Sequence, residues 1–152
     1  MRSLELAIPP VALAVLFAIG MIFLTYVAPT AVPVPARIGI TATLVLIGAL
    51  VALAGVYSFR QQKTTVNPFT PEKSSSLIVT GIYRFSRNPM YLRFFIALLG
   101  LCVYLANWAS AFLLPAFVAY MNCFQIKPEE RALEKLFGQQ FLDYCKSVRR
   151  WL

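Results

Sequence analysis

Residues 8–27, IPPVALAVLFAIGMIFLTYV, carry no charged side chain. About 20 apolar residues is the length an α-helix needs to cross a hydrocarbon core about 30 Å thick. Arg2 ahead of the run gives it the look of a secretory leader, but the run is longer than a leader's apolar core. The prolines at 29 and 33 also spoil a small-residue cleavage signal. It therefore reads as a first spanning helix. A proline-rich turn, Pro29 to Pro35, leads to a second apolar run from Ile38 to Phe59. Two further runs, Leu92 to Leu105 and Ala109 to Ile126, are separated only by Ala106, Asn107 and Trp108. Each is short for an independent span, so they predict a tight helical hairpin, with Pro115 kinking its second arm.

From Lys127 onward, Leu133, Leu136, Phe137, Phe141 and Tyr144 recur at helical spacing, which predicts an amphipathic helix. The expected fold is thus an all-α integral membrane protein. It has about four transmembrane helices, the last two a hairpin, followed by a C-terminal cytoplasmic amphipathic helix. One membrane domain occupies 1–152: two N-terminal helices in 1–59, a cytoplasmic loop in 60–91, the hairpin in 92–126 and the C-terminal helix in 127–152.

Composition agrees with a membrane environment. Only 13% of the residues are charged and 59% are hydrophobic, against about 25% charged in soluble domains. The net charge of +8 does not point to nucleic acid, because the basic residues cluster beside apolar runs, where topology and anionic headgroups account for them. Cys102, Cys123 and Cys145 have neither disulfide nor zinc spacing. The absence of histidine removes imidazole general-base chemistry and leaves no spaced metal-ligand set.

Arg60, Lys63, Lys73, Arg84, Arg87 and Arg93 lie between the second and third runs. Lys127, Arg131, Lys135, Lys146, Arg149 and Arg150 follow the fourth, whereas the hairpin tip has no basic residue. The positive-inside rule then puts both polar segments and both termini on the cytoplasmic face, in a membrane of the bacterial inner type. Folding the hairpin back brings the two polar segments together. Arginines and carboxylates meeting there can hold a zwitterionic ligand.

Taken singly, most of these residues also have a structural reading. Glu129 and Glu130 follow Pro128, as proline and acids do at a helix start. Arg84, Arg87 and Arg93 serve as topology determinants, and Tyr83, Tyr91 and Trp151 as interfacial anchors. The residues alone therefore describe a cytoplasm-facing polar site on a helical membrane protein, and no more.

Three stretches go further when taken together. They are Gly81-Ile82-Tyr83-Arg84 with Arg87-Asn88-Pro89-Met90-Tyr91, then Pro128-Glu129-Glu130 with Leu133, Phe137-Gly138, Phe141 and Tyr144, and finally Val148-Arg149-Arg150-Trp151. In order and spacing, from Leu77 to Trp151, they resemble the isoprenylcysteine carboxyl methyltransferase and phospholipid methyltransferase superfamily. The resemblance implies S-adenosylmethionine-dependent methyl transfer to a lipophilic or small acceptor. It implies cofactor binding by Gly81, Tyr83, Arg87, Asn88, Pro89, Tyr91, Glu129 and Glu130. It gives catalytic roles to Arg87, Asn88, Tyr91 and Arg150, and acceptor contacts to Tyr144, Arg149 and Arg150.

The implied partners are membrane lipids and the acceptor, without nucleic acid or metal, and a homo-oligomer is compatible with all of this. The family pattern more often has histidine where this chain has Asn88. Asparagine replaces its hydrogen bonds but not its basicity, which favours an acidic oxygen or sulfur acceptor over an amine. Two rival readings remain: a non-catalytic membrane scaffold that keeps the fold, and a nicotinamide-dependent membrane reductase.

Overall fold

In a computed structural model, residues 5–27, 34–61 and 77–152 are described. All regular structure among them is helical. The helices are α1 (Pro10–Val27), α2 (Val34–Gln61), α3 (Pro89–Leu105), α4 (Trp108–Ala111), α5 (Leu113–Tyr120), α6 (Lys127–Phe137) and α7 (Gln139–Ser147), with a 3₁₀ turn at Gly81–Arg84. Residues 62–76 of the expected 60–91 loop, including Lys63 and Lys73, lie outside the described residues, as does most of the proline-rich turn.

Among the described residues, three helices are long and apolar enough to cross a membrane: Pro10–Val27, Arg37–Ser58 and Trp108–Phe137. The third expected run forms the shorter α3, whose 17 residues extend about 25 Å. The bundle is therefore integral to a membrane, with three full-length apolar helices where four comparable runs were expected. Its outward faces are apolar, as lipid requires: Phe23, Leu53 and Tyr57 are more than 60% exposed. The core seam joins Leu13 and Met21 of α1 with Leu98, Leu114 and Phe117, and Phe17 meets Phe117 edge to face at 5.4 Å.

Between lipid-facing helices the hydrophobic effect offers little drive, so small residues and interhelical hydrogen bonds set the packing. Helices α2 and α3 run antiparallel. Thr41 Oγ1 donates to the Gly100 carbonyl at 3.1 Å, Arg37 Nη1 to the Tyr104 carbonyl at 3.1 Å, and a side chain at Gly55 would meet Met90 Sδ at 3.0 Å. Ser110 Oγ donates to the Met21 carbonyl at 2.9 Å, tying α4 to α1.

The turn after α3 is tight. Ala106 takes the left-handed conformation, φ +47°, and Asn107 caps α4 by accepting from the Ser110 amide at 2.9 Å. The break between α4 and α5 falls at Phe112, three residues before Pro115. The proline ring and its missing N–H disturb the preceding turn of a helix.

The C-terminal region departs from the expected boundary at Lys127. Helix α5 continues without a stop through a π-helical segment, Met121–Ile126, into α6. The whole rod, Trp108–Phe137, has 30 residues and is about 45 Å long. That is long enough to cross a hydrocarbon core of about 30 Å with the polar α6 end left over. The wider π turn lies where Pro128, buried and lacking an N–H, would otherwise oppose a regular α ladder. Glu129 and Glu130 consequently do not sit at a free helix start, and the dipole explanation for them loses its basis. The amphipathic segment is also two helices, because Gly138 at φ +50° ends α6 before α7 begins.

Candidate functional site

The 3₁₀ turn and the first turn of α3 are shaped by local chemistry. Gly81 adopts φ +62°, and a Cβ there would come 2.6 Å from Ser58 Oγ of α2, so the chain can pass α2 only as glycine. Tyr83 is buried, and its carbonyl accepts from the Tyr144 hydroxyl at 2.7 Å, which ties the turn to α7. Burial pushes both hydroxyls well above the ordinary tyrosine range; Tyr144 raises Tyr83 further, whereas the nearby Arg87 partly offsets the rise at Tyr144. Pro89 opens α3 at N1, where its missing N–H costs nothing. It is fully buried and acts on the backbone.

These elements enclose a cleft of about 550 Å³, counting its open mouth, with Tyr83, Arg87, Asn88, Glu129, Glu130 and Tyr144 in its wall. Leu77, Ile78, Leu133 and Phe141 complete it. Those four apolar positions were not among the expected site residues, although Leu133 and Phe141 belong to the helical stripe that could have marked them.

Glu130 is the electrostatic centre. Arg87 Nη2 lies 3.0 Å from its Oε1. Arg150 grips it from the other side, Nε at 3.0 and 3.1 Å from the two oxygens and Nη2 at 2.6 Å from Oε2. The Glu130 bonds raise the Arg150 guanidinium further above its usual range. Arg87 Nε is buried and has no partner. Cys145 stands beside Arg87, its thiol pushed up by burial against the lowering effect of that arginine. Glu129 is engaged separately: the Tyr91 hydroxyl, on a buried residue of α3, donates to its Oε1.

The remaining expected site residues divide. Arg150 reaches the cluster through Glu130. Arg149 has an exposed side chain, and its carbonyl, rather than its guanidinium, meets the site by accepting from the Arg87 amide at 3.0 Å. Gly81 and Pro89 shape the wall without lining it. Among the described residues no group of His, Cys, Asp and Glu converges as a metal site would.

The sequence matches the family described as phospholipid methyltransferase over residues 36–140, a span that includes α2, α3 and the rod with Glu129 and Glu130. The chain belongs to that family. Protein-S-isoprenylcysteine O-methyltransferase A of Arabidopsis thaliana is 30% identical over 105 residues, 69% of this chain and 53% of that protein. The B form from the same plant is 26% identical over 106 residues, 70% of this chain and 54% of that protein. The Schizosaccharomyces pombe protein-S-isoprenylcysteine O-methyltransferase is 34% identical over 76 residues, 50% of this chain and 32% of that protein. The chain thus spans about half the length of the two plant relatives. No solved structure matches.

Proposed function

We propose that this protein transfers a methyl group from S-adenosylmethionine to a lipophilic or small acceptor at the cytoplasmic face of its membrane. The observation that carries the reading is the cleft in which two distant polar segments meet, Arg87 and Asn88 from one and Glu129 and Glu130 from the other. The residues fit the cofactor. Its carboxylate needs a donor, and Arg87 has a buried Nε still unspent. Its ammonium and ribose hydroxyls need acceptors, which Glu129 and Glu130 offer, and its flat ring system suits a wall of Tyr83, Phe141 and Tyr144. When bound, its sulfonium supplies an already activated methyl group.

The chain's own residues then orient the reactants and exclude water. Arg87, Glu130 and Arg150 form a braced unit. Asn88 lines the cleft but cannot accept a proton. An acceptor that arrives as a carboxylate or thiolate needs alignment and desolvation rather than a base, so this site suits such an acceptor better than a protonated amine. The apolar positions Leu77, Ile78 and Leu133 suit an acceptor with a hydrocarbon portion.

Calorimetric titration of the purified protein with S-adenosylmethionine, and separately with NADPH, tests the reading. Binding of the former alone is expected. Arg87→Ala and Tyr91→Phe are each expected to weaken it, by roughly tenfold for a lost charge-assisted bond. No binding at millimolar S-adenosylmethionine in detergent and in nanodiscs would leave a scaffold that keeps the fold. The cytoplasmic orientation is tested by reporter fusions, with Asn107 expected outside and Leu152 inside. A cytoplasmic Asn107 overturns it.

A further inference from the structure

Arg150 carries a flexible side chain that is 36% exposed, and an ion pair so placed contributes little unless something else fixes its geometry. The fixing is visible in the backbone. After α7 ends at Ser147, the chain turns extended at Val148, φ −129° and ψ 136°, and runs past the entrance to α3. Three consecutive residues there donate to two consecutive carbonyls of this tail. The Arg87 amide bonds to the Arg149 carbonyl at 3.0 Å. Ser86 Oγ at 3.3 Å and Asn88 Nδ2 at 3.0 Å both bond to the Arg150 carbonyl.

Two details mark this as more than incidental contact. Asn88 is the N-cap of α3, where an asparagine side chain ordinarily accepts from the helix's first amides, yet it makes no capping bond and its amide turns to the tail instead. A carbonyl can only accept, so it is the NH2 group of Asn88 that faces Arg150. Ser86, 1% exposed, is locked from the other side, its Oγ accepting from the Asn88 backbone N–H at 3.1 Å. Beyond the latch, Trp151 continues inward. Its Nε1 donates to Asn122 Oδ1 of the π-helical segment at 3.1 Å, and its ring lies 6.2 Å from that of Phe95.

We propose that Ser86 and Asn88 are positioning residues, a latch that holds the C-terminal tail across the start of α3 and thereby keeps Arg150 on Glu130. On this account Asn88 acts through Arg150 and does not handle the acceptor's proton. Any side chain that donates one hydrogen bond from the same place, histidine included, serves equally well. The inference rests on the methyl-transfer reading for its functional consequence, but the latch itself has a readout independent of any ligand.

That readout is Trp151. In full-length protein carrying Trp108→Phe, Trp151 is the remaining tryptophan, and its quenching by acrylamide measures tail docking. Asn88→Leu, which keeps the bulk and loses the donor, is expected to raise quenching. Ser86→Ala is expected to raise it less, because its bond is the longer one, and Asn88→His to leave it as in the parent.

S-adenosylmethionine affinity is then measured in a double-mutant cycle. Asn88→Leu alone is expected to weaken binding about fivefold, the effect of one ordinary hydrogen bond. In an Arg150→Ala background it should add less than about twofold, since the residue it positions is gone. Trp151 equally shielded in Asn88→Leu and the parent, or losses that multiply in the double variant, overturn the proposal. Failure of the parent protein to bind S-adenosylmethionine overturns the methyl-transfer reading alone, and the Trp151 comparison then upholds or overturns the latch by itself.

Discussion

Replacing Glu130 by Gln keeps the shape of the side chain and removes the charge that two guanidinium groups share. The magnitude follows from the geometry. The inner arm, Arg87 to Glu130 at 3.0 Å, joins side chains only 12% and 18% exposed, and a charge-assisted bond of that kind contributes about 1.5–3 kcal/mol. The outer arm has three short contacts, but Arg150 is 36% exposed, so its share is discounted to at most about 1 kcal/mol. Together they predict a loss of about 2–4 kcal/mol, since the variant also leaves two like charges facing each other.

The assay is the free energy of unfolding by denaturant in mixed micelles. Glu134→Gln, exposed one turn further along α6, serves as a control expected to stay within about 0.5 kcal/mol. The Arg150 pKa is raised on folding, so its contribution is present at every pH below the ordinary arginine range and is lost only above it. The loss caused by Glu130→Gln should therefore not depend on Arg150 titration between neutral and mildly alkaline pH. A Glu130→Gln protein as stable as the control would show that the two arginines are not braced by this carboxylate.

Gly81→Ala should cost about 1–3 kcal/mol of unfolding free energy, because φ is +62° and the new Cβ would press on Ser58 Oγ, itself held by a 2.9 Å bond to the Ala54 carbonyl. Gly39→Ala, where the added atom meets nothing within 4 Å, should cost none of that, and equal losses in the two variants would refute the close approach. The raised pKa values of Tyr83 and Tyr144 mean that their stabilisation is complete below the unfolded tyrosine pKa of about 10 and declines as pH rises above it. Tyr144→Phe should therefore lower stability at neutral pH by about 1–2 kcal/mol, through the lost bond to the Tyr83 carbonyl, yet flatten the decline between neutral and strongly alkaline solution. An unchanged alkaline slope would argue against the buried hydroxyl.

Hydropathy was sufficient for an all-helical chain with helices apolar and long enough to cross a membrane, though not for their number, and for the tight turn at Ala106 and Asn107. The reason is that lipid imposes a length and an apolar composition that any spanning helix must satisfy, whatever its neighbours. The motif stretches likewise led to the family.

Tertiary structure decided the rest, beginning with which of several adjacent like residues faces the cleft. Neighbours on a helix point about 100° apart, and the phase of α6 is set by the π segment before it, which no periodicity announces. Thus Glu130 rather than Glu129 meets the arginines, while Glu129 takes the Tyr91 hydroxyl. On the extended tail, alternation sends the Arg149 side chain outward and that of Arg150 to Glu130. Ser86, an unremarked residue in the sequence, owes its role entirely to a carbonyl 64 positions away. Hydrogen bonds between backbone and distant side chains depend on how the chain returns, and only the packed bundle specifies that path.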